Sequence, residues 1–145
     1  MRFLVMNAKV YLRQAMQAER LLRSKMEQLA RLESMATAAT QRFDSTGGSH
    51  GTGLEGSKLE NSVVGIVDMK DQIHEQTVYL VKLRKDISGT IAGVANMTHR
   101  YILEERYLNY KEWHQIQDET GFSLDYLYKL HRGALSTIQR MLNDR

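Results

Sequence analysis

Apolar side chains recur in steps of three and four along two long stretches of this chain, and again in shorter runs towards its C-terminal end. From Asn7 to about Phe43 the stripe is Tyr11, Ala15, Ala18, Leu22, Met26, Leu29, Leu32 and Met35, the spacing of one buried helix face. Asn7 stands where an N-cap belongs. A second stripe, from Ser57 to about residue 95, holds Leu59, Val63, Ile66, Lys70, Ile73, Thr77, Leu80, Ile87, Ile91 and Val94, close to a heptad seam. Ser57-x-x-Glu60 reads as the capping box that starts this helix. Lys70 either fixes register with a partner helix or reaches out of the seam along its own stem. Between the stripes, residues 44–56 read DSTGGSHGTGLEG and hold five of the ten glycines, the composition of a flexible linker. Two helices of matched length, each about 55 Å at 1.5 Å per residue, predict a long antiparallel hairpin of coiled-coil type over residues 1–98. The apolar surface such a hairpin leaves uncovered predicts a homo-oligomer formed through it. Near its end, Gly89 and Gly93 suit either close helix packing or a hinge, and Asn96 or Thr98 can cap the next helix.

From Arg100 to Met141 the apolar positions fall into three runs: Ile102, Leu103, Tyr107 and Leu108; Trp113 and Ile116; and Leu127, Leu130, Ala134, Leu135 and Ile138. Thr120-Gly121-Phe122-Ser123 separates the last two. Gly121 can take positive φ at a helix end and Ser123 can cap the following helix. Two helices joined by a short glycine-containing turn predict a helix-turn-helix in residues 99–145, with Ile116 and Leu127 packed across the turn and Leu130 one turn further on. Asn109 is a candidate cap for the first of the two helices. The fold class is all-α.

At these residues a family resemblance enters. Arg106-Tyr107-Leu108, Trp113-x-x-Ile116, Gly121-Phe122-Ser123 and Leu127-Tyr128-x-Leu130-His131-x-x-Ala134-Leu135 resemble the fourth domain of bacterial sigma factors, which binds the promoter −35 element and the flap of RNA polymerase. Together with Met6-Asn7-Ala8-Lys9 and Tyr11-Leu12, they are similar to small phage and prophage proteins of low-GC Gram-positive bacteria, late-gene transcriptional regulators of the ArpU and RinA kind. The resemblance implies double-stranded promoter DNA as partner and host RNA polymerase as a second. It also implies that the sigma domain which opens the −10 region is missing, so the chain would recruit or modify polymerase or activate a late promoter. The helix docked in the major groove would present Ser123, Leu124, Asp125, Tyr126, Tyr128, Lys129 and Arg132. Lys129 and Arg132 can pair with phosphate or guanine, and Tyr128 with phosphate or a thymine methyl. Asp125 also suits the positive end of the helix dipole without any DNA.

Charge modifies this picture. Residues 1–43 hold eight Lys/Arg against three Asp/Glu, residues 44–98 five against seven, and residues 99–145 seven of each. The helix-turn-helix is thus neutral, although phosphate neutralisation supplies much of the affinity of a DNA-binding unit. That leaves a second reading: a protein-interaction or scaffold module whose sigma-like unit binds polymerase or another protein without reading DNA. Arg13, Arg20, Arg23 and Arg31 lie off the first stripe and read as a solvated face.

Other chemistry is thinly represented. Gly51-x-Gly53-x-x-Gly56, and the same loop with Ser57-Lys58, imitate nucleotide-binding motifs, but no strand leads into them. The five histidines lack metal-ligand spacing, and His131 reads as a core residue. No cysteine is present, which fits a reducing compartment. No apolar run approaches the roughly twenty residues that span a bilayer. The expectation is a cytoplasmic, non-enzymatic protein with no cofactor, no metal and no membrane partner.

Overall fold

The computed structural model describes residues 6–45 and 53–145. It is all-helical, with no strand among those residues: α1 (Ala8–Ser45), α2 (Gly53–Ala92), α3 (Met97–Leu103), a π-helical turn (Glu104–Leu108), α4 (Trp113–Thr120) and α5 (Leu124–Asn143). Among the described residues no helix is long and apolar enough to cross a membrane. The caps read from sequence hold for three helices, Ser123 at the start of α5 among them. Asn7 Oδ1 accepts from the N–H of Lys9 at 2.9 Å, and Asn96 Oδ1 accepts from that of His99 at 3.0 Å. Ser57-x-x-Glu60 does not start α2, which begins at Gly53, so the box lies inside the helix. The expected linker shrinks correspondingly, and its central residues 46–52 lie outside the described residues. The chain divides into two compact units.

The unit Arg20–Val78 is the antiparallel pairing of parts of α1 and α2. Lys25 Nζ donates to Gln72 Oε1 at 2.8 Å, and a Cβ added at Gly65 would sit 3.8 Å from Leu32 Cδ1. Partner numbers therefore fall along α2 as they rise along α1. The half-buried seam of α2 is Leu59, Ser62, Ile66, Met69, Ile73 and Gln76. It repeats in steps of three and four, but it is not quite the stripe expected. Val63, Lys70 and Thr77 are exposed, as are Met26 and Met35 on α1. The shift has a plain cause. Serine and glutamine occupy seam positions while more apolar valines lie outside, so a reading that maximises hydrophobicity selects the wrong neighbours. Lys70 is not a seam residue at all.

The second unit joins residues 6–19 and Tyr79–Arg145. Ala8, Tyr11, Leu12, Ala15, Met16 and Ala18 of α1 are buried, with Leu80, Ile87 and Ile91 of α2 and Ile138 and Leu142 of α5. Each fully buried Leu or Ile contributes about 1.5–3 kcal/mol from its removal from water. Polar ties fix the register. The Ala8 N–H donates to Gln139 Oε1 at 2.8 Å. The Tyr11 hydroxyl bonds Asp86 and lies 2.9 Å from Thr90 Oγ1, and Arg145 donates to the same Oγ1 at 2.7 Å. Burial and then the Asp86 carboxylate push the Tyr11 phenol above its ordinary value. Of the two glycines, Gly89 has open space around it. A Cβ on Gly93 would lie 2.8 Å from Met141 Cε, so Gly93 is a position of close packing.

Candidate nucleic-acid interface

Between α3 and α4 the backbone widens into the π-helical turn Glu104–Leu108, then bends sharply at Tyr110, the one non-glycine described residue with positive φ, at 58°. A tyrosine held there is strained, and Arg84 holds it. Its Nη1 donates to the Tyr110 hydroxyl at 2.6 Å and to the Leu108 carbonyl at 3.1 Å, with the guanidinium over the ring at 5.4 Å. Lys111 bridges Glu105 at 2.5 Å and Glu119 at 2.7 Å, and both carboxylates raise its pKa. Asn109 does not cap α4; it donates to Glu105 Oε1 at 3.2 Å. Glu112 is the cap, in a capping box with Gln115, whose Oε1 accepts from the Glu112 N–H at 3.0 Å.

α4 ends at Gly121, which takes φ 75°, a value a side chain at this position would resist. After a three-residue turn, Ser123 Oγ accepts from the Tyr126 N–H at 3.2 Å and caps α5. Ile102, Ile116 and Leu127 form the buried centre of the motif, with Trp113, Phe122 and Leu130 packed against it. Ile116 and Leu127 thus meet across the turn as their spacing predicts. Below this centre lies buried His131. Its Nε2 shares a 2.6 Å hydrogen bond with the Tyr107 hydroxyl, and its ring meets Trp113 edge-on at 4.8 Å. Burial, reinforced by Lys9 and Arg106, pushes His131 down to about 4, so the imidazole is neutral at pH 7. Burial raises the Tyr107 phenol.

Packing of Leu127, His131, Ala134, Ile138 and Leu142 fixes which way α5 faces. At 100° per residue, Asp125, Tyr128, Lys129 and Arg132 lie together on the opposite side, and all four are exposed. Leu124 borders them. Ser123 is exposed but already engaged as the cap. Tyr126 stands apart on the other flank, its ring edge-on to Phe122 at 5.1 Å. The structure thus brings together four of the seven candidate residues and separates Tyr126 from them. Trp113 was not among the candidates, yet it packs against the exposed face. Its ring meets Tyr128 at 5.5 Å and 85°, and Arg106 lies over it at 5.4 Å. The signal in the sequence was the i to i+15 pairing of the two aromatics across a turn of known length. Among the described residues no group of three or more acidic or histidine side chains is placed to hold a metal ion.

The family model described as "Protein of unknown function (DUF1492)" matches residues 50–139. No curated protein and no solved structure matches the chain.

Proposed function

The chain belongs to the DUF1492 family, and we propose that it is a phage-type transcription regulator whose C-terminal helix-turn-helix docks α5 in the major groove of promoter DNA and works with host RNA polymerase. The observation that carries this reading is the exposed side of α5. A three-residue turn with Gly121 at positive φ sets the helix at its angle, and Asp125, Tyr128, Lys129 and Arg132 project from the face opposite its packed side. Lys129 and Arg132 supply the cations for phosphate or guanine, Tyr128 is steadied by Trp113, and Asp125 sits in the first turn of α5. The sigma-like motifs support promoter DNA over other duplexes.

A second reading makes the unit a protein-binding module. The neutral balance of residues 99–145 and the exposure of Met97, Tyr101, Leu124 and Tyr126 near the turn favour it. Fluorescence anisotropy on the DNA upstream of its own gene against scrambled DNA, with and without polymerase, separates the two. Lys129→Ala and Arg132→Ala should each weaken binding while leaving the melting temperature unchanged. A lost phosphate contact should lower the salt slope by about one, and a lost guanine contact should cost about 1–3 kcal/mol at one base pair. No sequence preference in the intact protein, and alanine variants that titrate identically to it under both conditions, would leave the protein-binding reading standing.

A further inference from the structure

The start of α1 belongs to the same compact unit as the helix-turn-helix, residues 6–19 packing with Tyr79–Arg145. One side chain of α5 holds it there. Gln139 Oε1 accepts from the Ala8 N–H at 2.8 Å, and Gln139 Nε2 donates to the Met6 carbonyl at 3.3 Å. At 100° per residue Gln139 lies about 20° round α5 from Tyr128 and about 20° from Arg132, so α1 begins on the strip that carries the candidate DNA contacts. From there it runs back towards the start of α5. Behind burial, the Lys9 ammonium helps push His131 down. The Arg13 guanidinium partly offsets the burial that raises the Tyr107 phenol, to which His131 is bonded. Ala8, Tyr11, Leu12, Ala15 and Met16 are buried, whereas Lys9 and Arg13, one turn apart, are exposed. Among the described residues no ion pair engages either of them.

Neither charge suits its place in an isolated helix. Lys9 stands in the first turn, at the positive end of the helix dipole, where no acidic residue offsets it. Arg13, four residues on, repels it. We propose that Lys9 and Arg13 bind the DNA phosphates at the edge of the groove that α5 enters. This role rests on α5 being the helix that enters the groove. The major groove is about 12 Å wide, and a helix with its side chains, about 10–12 Å across, fills it. An element packed on the flank of α5 therefore stands over the sugar-phosphate backbone, where exposed cations are what recognition requires. The pair also brings positive charge to a helix-turn-helix whose own residues 99–145 are neutral.

Fluorescence anisotropy over a salt series, on the duplex upstream of its own gene and on a scrambled duplex, measures this contribution. Full-length Lys9→Ala/Arg13→Ala should bind both duplexes about 10-fold or more weakly at about 0.1 M salt, with a salt slope smaller by about two. Its preference for the natural duplex should be unchanged, because phosphate contacts carry no sequence information. Its melting temperature should equal or exceed that of the parent, since both side chains are exposed and repel each other. Lys9→Arg/Arg13→Lys should keep the parent's slope. Arg31→Ala/Lys70→Ala removes the same charge from exposed positions in the other unit and should keep it too. An unchanged slope in Lys9→Ala/Arg13→Ala, with a lower one in Lys129→Ala, overturns the role of α1 and leaves α5 as the reader. An equal loss in Arg31→Ala/Lys70→Ala reduces the effect to net charge and overturns it as well. Binding that no variant alters, Lys129→Ala included, overturns both.

Discussion

Acid should unfold the C-terminal unit through one residue, His131. In the unfolded chain its imidazole titrates near 6.5, whereas burial in the folded unit lowers it to about 4. Above about pH 7 both states are neutral and this group adds no pH dependence. As the pH falls from 6.5 towards 4, the unfolded chain takes up a proton that the folded chain refuses, so stability is lost through that window. Below about 4 both states are protonated and the loss is complete. The gap corresponds to about 3 kcal/mol as a ceiling, a large part of the stability of a unit this size. The assay is built into the molecule. Trp113 is the single tryptophan and touches His131, so its fluorescence follows this packing in urea titrations from pH 7.5 to 4. A His131→Leu chain supplies the reference, because carboxylates common to both proteins cancel in the difference. The parent should lose stability between pH 6.5 and 4 relative to the variant, by about 2–3 kcal/mol. Parallel curves for the two proteins would refute the argument, since the buried imidazole would then titrate as it does in water.

Two further outcomes test the packing around the candidate interface. Leu127→Ala empties a fully buried site and should cost about 2–5 kcal/mol in urea unfolding, whereas Lys129→Ala should stay within about 0.5 kcal/mol of the parent. Gly133→Ala would place a Cβ 2.9 Å from His99 Cε1. It should destabilise by about 1–3 kcal/mol by overpacking, despite the better helix propensity of alanine, and Gly133→Ala/His99→Ala should recover most of that loss in the same unfolding assay.

Much of the fold could be read from local signals because caps and turns act over four residues. Asn7, Asn96, Gly121 and Ser123 all do what their chemistry suggests. The hairpin was legible as a pair of helices but not in its facing. On α2 apolar residues cover well over half the circumference, so periodicity admits two faces, and only the contact with α1 selects Ser62 and Gln76 over Val63 and Thr77. Ser57-x-x-Glu60 failed for a related reason: a capping box marks where a helix can start, and here the helix had begun four residues earlier. The π-helical turn and the positive φ of Tyr110 left no local signal. They depend on Arg84, some twenty-five residues away, to satisfy the Leu108 carbonyl and hold the ring.

The same distinction governs the candidate interface. Once Ser123 fixes where α5 starts and Leu127 fixes which side is inward, the exposed set follows from the helix repeat alone, which is why Asp125, Tyr128, Lys129 and Arg132 could be named beforehand. Tyr126 could not be separated from them, because Phe122, a turn residue, draws it to the other flank. What residues 99–145 lack is net positive charge: with seven cations against seven anions, the proposed DNA-binding unit would have little of the counterion-release affinity on which such units rely, and docking on polymerase beside the promoter would have to supply the rest.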